Sequence, residues 1–591
     1  MRTLLAAMAL AAMATLSSAQ TPSPAAAELK ALLDDDLAAL LRRAPMLATQ
    51  RGVPGFDHLL PDASPAQRER ERVRERELLA RLQALDAAAL GEADRVSYLL
   101  LLNRARNAVD AQRFADADAL VLGTLGGIQT LMPQLAQTGR FRNADDLRNF
   151  IRRIEAFPAF AEQITQRLQG GLRSGWLRPV PVLDRVLAAI DAHLVEQADA
   201  SVLFGPFRRF ADAVPEAERG ALADAARRAI ADDYQPALRR FKAFVAAELR
   251  PRSPAQAGLA ALPGGAAYYD FLIASNVVAG MNADQIHALG LAEVARLRAE
   301  IEALARRSGH HGSVDEFMTW LRTDARFFFR SADELLAAYH ALGPMVDPQL
   351  PRLFHAVPRM AYTVRGMSAA EAASSTAANY RVGSPSLGTA GIFTINALGF
   401  AAEPTWKKET LFLHEAVPGH HLQSARAAEL QGLHPWRQLA SFNVAYSEGW
   451  ALYAEKLGFE LGLFVDPYQH YGHLQAELWR AARLVVDTGI HARNWPRERA
   501  VAYLETQAGL TSESAASEVD RYVSNPTQAL GYLLGQRKLL ELRQRARSAL
   551  GARFDIRDFH AVVLDQGAMP LAVLESRVDA WILRSRGPAA P

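Results

Sequence analysis

The segment Leu411-Phe412-Leu413-His414-Glu415-Ala416-Val417-Pro418-Gly419-His420-His421-Leu422-Gln423 opens like H-E-x-x-H. In that pattern two histidines one helical turn apart hold a zinc ion, and the glutamate activates its water. The position four after His414 is Pro418, so the second histidine is displaced to His420 or His421. On an unbroken helix His420 stands ~120° round from His414 and ~9 Å along the axis, whereas His421 returns to within ~20° of the same face but ~10.5 Å along it. Zinc–nitrogen bonds are only about 2.0–2.1 Å, so neither position suits a shared ion unless the helix breaks. Pro418 removes a backbone donor and Gly419 relaxes the chain, so a local break is expected here. A bulge that absorbs two residues would put His420 where the second histidine of the pattern normally sits. The plainer reading is a helix C-terminus, which Pro-Gly also marks and whose dipole suits histidine.

A third donor is needed, and Tyr446-Ser447-Glu448-Gly449-Trp450-Ala451-Leu452-Tyr453-Ala454-Glu455 offers one. Glu448 stands early in an apolar helix, beside Ala445, Gly449 and Trp450, where a carboxylate is costly to bury unless it pairs or binds a metal. Two histidines and a glutamate leave a fourth position for water, the arrangement of catalytic zinc sites. Pairing of Glu448 with an arginine is the structural alternative. Glu455, seven residues on, could share the face and is the fallback ligand.

Most of the chain that must position these groups reads as helix. Residues 26–44, 64–92, 143–168, 180–199 and 215–248 carry apolar positions at three- and four-residue spacing, and further helices are expected near 266–278 and 283–307. Ser64-Pro65-Ala66-Gln67 is a helix start, and Asn282 is a cap. The alternating charges from Arg68 to Arg76 read as a solvated helix face. His310-His311 sits in a connector, because Ser313 starts the next helix at once. Strand character is confined to 360–364 and 387–398, and the stretch Gly391–Asn396 could be an edge strand that pairs with an extended peptide. Prolines and glycines cluster from Pro251 to Gly265, which divides a region 20–250 from a region 251–591 that carries the motif. The fold class is mainly α, with a small β-sheet beside the active site.

Composition bounds the rest. The chain has 591 residues, 50% hydrophobic and 22% charged, and no cysteine. Thiol nucleophiles, disulfides and cysteine-type metal sites are excluded, so any metal site is built from His, Asp and Glu. Lys and Arg total 66 against 64 Asp and Glu, a balance that gives no electrostatic case for nucleic acid. Met1-Arg2, the apolar run Leu4 to Leu16 and the small residues Ser17-Ser18-Ala19 read as a signal peptide over residues 1–19, cleaved near Gln20. The remainder shows no run long enough to span a bilayer. The expected location is therefore exported, in the periplasm where the host has one.

Together, His414-Glu415-x-x-Pro418-Gly419-His420 and Tyr446-x-Glu448-Gly449-Trp450-Ala451-Leu452-Tyr453-Ala454-Glu455 resemble the bacterial "domain of unknown function 885" family. Leu262-Pro263-Gly264-Gly265 with Tyr269, Arg483-x-x-x-Asp487-Thr488-Gly489-Ile490-His491, Arg521-Tyr522, Pro526-x-Gln528-Ala529-Leu530-x-Tyr532, Phe559-His560 and Met569-Pro570-Leu571 extend the resemblance. That family looks like a distant branch of the zinc peptidases with a downstream glutamate ligand. The resemblance implies a large helical, channel-bearing, metallopeptidase-like fold and a Zn2+ cofactor held by His414, His420 and Glu448. It implies Glu415 as general base, with a peptide as substrate. It also makes Tyr532 the candidate oxyanion donor, because related peptidases use a tyrosine far downstream. Arg521 and His491 are weaker candidates for that work or for a substrate carboxylate.

The leading expectation is an exported zinc metallopeptidase acting on oligopeptides. A zinc hydrolase of a non-peptide amide or ester is the second reading, and a metal-free helical binding protein the third.

Overall fold

The computed structural model describes residues 23–586 except 125, 375–377, 386–387 and 440–442. The signal segment expected over 1–19 lies outside the described residues, as does Leu387 at the start of the second strand candidate.

The chain is mainly α, and its helices begin where capping chemistry dictates. The Ser64 hydroxyl accepts from the Gln67 amide at 3.2 Å and starts Pro65–Ala84. Asn282 and Gln285 form a reciprocal capping box at the head of Ala283–Arg307, and Ser313 with Glu316 does the same for Val314–Thr323. His310 and His311 sit between those two helices, in the expected connector. The helix expected over 64–92 stops at Ala84, because Asp86 caps a short turn instead. Helix α1, Glu92–Ala111, follows Gly91.

The alternating charges of Pro65–Ala84 are only partly a solvated face. Arg74 and Arg104 converge on Asp36 and Glu75, both nearly sealed from solvent, at 2.6–3.1 Å. An inter-helix ion network therefore ties α1 to the N-terminal helices.

Three strands form the sheet: β1 (Tyr362–Gly366), β2 (Asn379–Arg381) and β3 (Gly391–Ile395). Their order is β1-β3-β2, with β3 parallel to β1 and antiparallel to β2. The segment expected as an open edge is thus the central strand, and its backbone is engaged on both sides. Edge pairing of a peptide to Gly391–Asn396 is ruled out by that geometry. The sequence pattern did not resolve β2, which is three residues long.

Six helices carry the C-terminal half of the argument: α2 (Lys408–Glu415), α3 (His420–Glu429), α4 (Val444–Glu460), α5 (Pro467–Arg493), α6 (Ser512–Ser524) and α7 (Gly531–Leu550). Helix α5 is buried along most of its length and packs on Ala283–Arg307. One apolar core joins Phe157, Tyr234 and Phe241 to Leu484 and Leu530; a second joins Leu32 and Leu101 to Phe393, Trp450 and Ile582. Each core draws on both sides of position 250. The Pro/Gly-rich stretch 251–265 is not a free linker, since Ala257, Leu259 and Leu262 are buried in the first core. No described helix is long and apolar enough to cross a membrane.

Candidate metal centre

The helix that carries His414 ends at Glu415 and restarts at His420. Between them Ala416–Gly419 turns so tightly that the His421 amide reaches back to the Ala416 carbonyl at 3.0 Å. Gly419 is required by this approach: a Cβ there would lie 2.0 Å from the His414 carbonyl oxygen and 2.3 Å from that of Leu413. From α4, the Trp450 indole donates to the Pro418 carbonyl at 2.9 Å and fixes the turn.

The turn brings the His420 ring against that of His414, with centroids 4.9 Å apart and planes at 84°. Glu448 Oε2 stands 3.6 Å from His414 Nε2 and 3.3 Å from His420 Nε2. Donors bound to one tetrahedral ion at about 2.0–2.2 Å stand roughly 3.3–3.5 Å from one another, so the spacing suits a single cation. Burial adds a second fit. Glu448 Oε2 is sealed from solvent yet finds no hydrogen bond of proper geometry, a cost that a cation would relieve. Burial opposes its charge, but the imidazoles of His420 and His414 outweigh that and hold its carboxyl well below the usual range. Burial likewise opposes a charge on His414, while Glu448 and Glu455 carry it up to about 9.

Two alternatives left open by the sequence resolve in this geometry. His421 faces the sheet, sharing a 2.9 Å hydrogen bond with the Tyr380 hydroxyl, and burial pushes it down to about 4. Glu455 is fully buried, and its Oε1 sits 2.7 Å from His414 Nδ1, with Arg480 at 3.6 Å. Its seven-residue spacing from Glu448 does place both carboxylates on one face. They serve opposite nitrogens of the same ring, so Glu455 orients the candidate ligand His414, where Glu448 would itself be a ligand. Glu455→Gln should weaken zinc binding by about 10–100-fold in a competition titration with a chelating dye. Unchanged affinity would leave Glu455 a packing residue only.

Glu415 is buried beside the cluster, and no hydrogen bond or ion pair to another described residue occupies its carboxylate. Its charge reaches His414 and Tyr339. Tyr532 arrives from α7, which crosses α4 in backbone contact at Gly449 and Gly535; a Cβ on Gly449 would lie 2.5 Å from Gly535 Cα. The Tyr532 ring lies at 11° to that of His414, with centroids 6.4 Å apart, and the Arg483 guanidinium covers it at 4.3 Å. Gln528 Nε2 donates to the hydroxyl at 3.3 Å, which leaves the phenolic proton free to be given. Burial first, and the Glu448 charge second, push this phenol up, so it stays protonated.

The other two candidates stand apart from the cluster. Arg521 is bound to Glu518 at 2.8 Å and to Gln528, so its hydrogen bonds reach Tyr532 through Gln528, while its charge acts on the phenol directly. His491 is fully buried; its Nδ1 accepts from the Leu259 amide at 3.3 Å, and Nε2 donates to the Tyr522 carbonyl at 3.0 Å. With burial pushing it down to about 4, it is a neutral anchor for the 251–265 segment and has no nitrogen left for a substrate. A second group of possible donors, His355, Asp555 and Asp558, is exposed or half-exposed. His355 pairs with Asp558 at 2.7 Å and Asp555 with Arg557 at 2.6 Å.

The family described as "Bacterial protein of unknown function (DUF885)" matches residues 45–578. The crystal structure of a protein from Colwellia psychrerythraea, described as a "putative lipoprotein", is similar at a TM-score of 0.89 and 26% identity, covering 95% of this chain and 99% of that one. A structure from Shewanella oneidensis, described as a "putative lipoprotein of unknown function", has a TM-score of 0.73 at 18% identity, covering 93% and 99%, and speaks to the fold alone. Comparison with curated proteins gives no match.

Proposed function

The chain belongs to the bacterial DUF885 family, and for it we propose a zinc-dependent metallopeptidase that hydrolyses peptide bonds in oligopeptides. The observation that carries this reading is the buried cluster of His414, His420 and Glu448, with the donor atoms within 4.8 Å of one another and Glu415 unspent beside them. Bound among those donors, zinc supplies Lewis-acid polarisation of a carbonyl and a lowered pKa for water. Glu415 takes the proton of the attacking water and delivers it to the leaving amine. Glu455 keeps His414 Nδ1 occupied, so that Nε2 is the nitrogen turned to the cluster. Tyr532, held by Gln528 and Arg483, donates to the oxyanion that develops on the carbonyl oxygen. Tyr532→Phe should lower kcat by about 10²–10³-fold with a smaller change in KM. An unchanged kcat would remove Tyr532 from the chemistry.

The proposed location is outside the cytoplasm, in the periplasm where there is one. The basic start, apolar run and small residues of the first nineteen positions support it. Fractionation of cells with a carboxy-terminal tag would test it, and a full-length protein retained in the cytosol would overturn it.

The activity is tested by digesting a diverse peptide library with the zinc-loaded protein and reading the products by mass spectrometry, with Glu415→Gln as the inactive control. Cleavage by the wild type alone supports a peptidase. A folded, zinc-loaded protein that leaves every peptide intact, while hydrolysing simple esters or non-peptide amides, would overturn it in favour of another hydrolase.

A further inference from the structure

A cavity of about 520 Å³ opens between α1, the end of Gly265–Asn276, the start of α4, the 525–528 loop and Ala568–Pro570. Its wall carries an unusual concentration of side-chain amides: Asn103, Asn107, Asn276, Asn443, Asn525 and Gln528. Apart from Gln528, whose oxygen accepts from Arg521 and whose NH₂ donates to Tyr532, most of their hydrogen-bonding capacity is unspent. The Asn103 and Asn525 side chains bond to no described residue, and Asn107 makes one long contact, 3.5 Å to the Ser275 carbonyl. The Asn443 oxygen caps the Tyr446 amide at 2.9 Å and leaves its NH₂ free. The one charged residue in the wall, Arg104, gives both terminal nitrogens to Glu75 and Asp36 and keeps only its Nε unpaired, so the polar groups on offer are mainly neutral amides.

Two features connect this cavity to the candidate metal centre. Gln528 lines it and also donates to the Tyr532 hydroxyl. Asn443, the N-cap of α4, precedes Glu448 by five residues, which is about 7.5 Å along a helix axis. An extended peptide advances about 3.3 Å per residue, so the amides begin some two residues from a bond held at the cluster.

Building on the peptidase reading, we propose that this amide-lined chamber is a subsite for the main chain of the substrate, starting about two residues from the scissile bond. An unengaged side-chain amide, as on Asn103 and Asn525, offers two donors and an acceptor oxygen, which matches the alternating C=O and N–H of an extended backbone and ignores side-chain identity. The chamber therefore selects for length rather than for sequence or charge. An oligosaccharide is also neutral and polar, but Trp436 is 1% exposed and its indole nitrogen is bound to Asp36, so it presents no open face for a sugar ring to stack on.

The test uses peptides with one cleavage site, lengthened residue by residue on either side, together with the Asn103→Ala/Asn525→Ala double variant. Both asparagines lack side-chain partners, so their loss should leave thermal unfolding and zinc content as in the wild type. Binding is read separately, as the anisotropy of a fluorescent peptide on the Glu415→Gln background with and without the two substitutions. The expected result is a KM that falls with length on one side of the bond, a gain lost in the double variant, and binding weakened about tenfold there. Cleavage that is indifferent to length, or a double variant that binds as tightly as its parent, would overturn the subsite and leave the peptidase standing. Binding that depends on the asparagines, without cleavage of any peptide, would reject the peptidase and keep the subsite. Displacement by a neutral oligosaccharide with no peptide binding would overturn it in favour of a glycan.

Discussion

Glu415→Gln should retain about one zinc per chain and lower peptide turnover by roughly 10²–10⁴-fold, the range over which a positioned general base acts. The substitution keeps the shape of the side chain and removes its ability to accept a proton. Glu415 lies outside the group of donors that can share a cation, so the metal should stay. It also makes no side-chain hydrogen bond or ion pair with another described residue whose loss would loosen the helix, and so the thermal transition should not move. Turnover measured beside metal content separates the two effects. A variant that turns over peptide like the wild type would exclude Glu415 as the base, and one that loses its metal would make it a ligand.

The second large effect concerns the ligands. His414→Ala, His420→Ala and Glu448→Ala should each reduce bound zinc from about one per chain to near none after dialysis, whereas His421→Ala should keep it. Each of the three leaves only two donors where a stable protein site needs at least three. A ligand that binds only the folded state stabilises it by about 2.7 kcal/mol at a hundredfold excess over Kd. Added zinc should therefore raise the unfolding temperature of the wild type and of His421→Ala, and leave the three ligand variants unmoved. Zinc lost from His421→Ala and kept by His420→Ala would transfer the second position by one residue. No zinc in the folded wild type, even after reconstitution, would leave a helical binding protein.

Much of this centre is legible in the residues because its chemistry is local. His414 and Glu415 adjoin, Pro418-Gly419 announces the break, and Glu448 stands out as a carboxylate in an apolar helix. The choice between His420 and His421 depended on how four residues turn, which no spacing rule fixes. Glu455 was ambiguous for a related reason: two turns of helix put it on the right face, but only the packed position of His414 decides which nitrogen it meets. Long-range partners account for the misreadings. Gly391–Ile395 has the residues of an edge strand, and its flanking strands come from segments whose register is set by tertiary contacts. The 251–265 stretch has the composition of a linker, yet His491, far along the chain, captures the Leu259 amide and seals it into the core. With both ring nitrogens engaged, His491 anchors that stretch and does not face the cluster.

The interleaving of the two cores bears on when the centre can exist. Residues near the N-terminus, Leu29 to Leu33, share a core with Ile582, and Tyr532 sits on a helix that ends at Leu550. A nascent chain still short of α7 holds every proposed ligand and the proposed base, but lacks the tyrosine and the Gly535 surface on which α4 seats. Completion of the site is thereby tied to completion of the polypeptide. Such an order of assembly would keep the proposed hydrolase latent while it is being made.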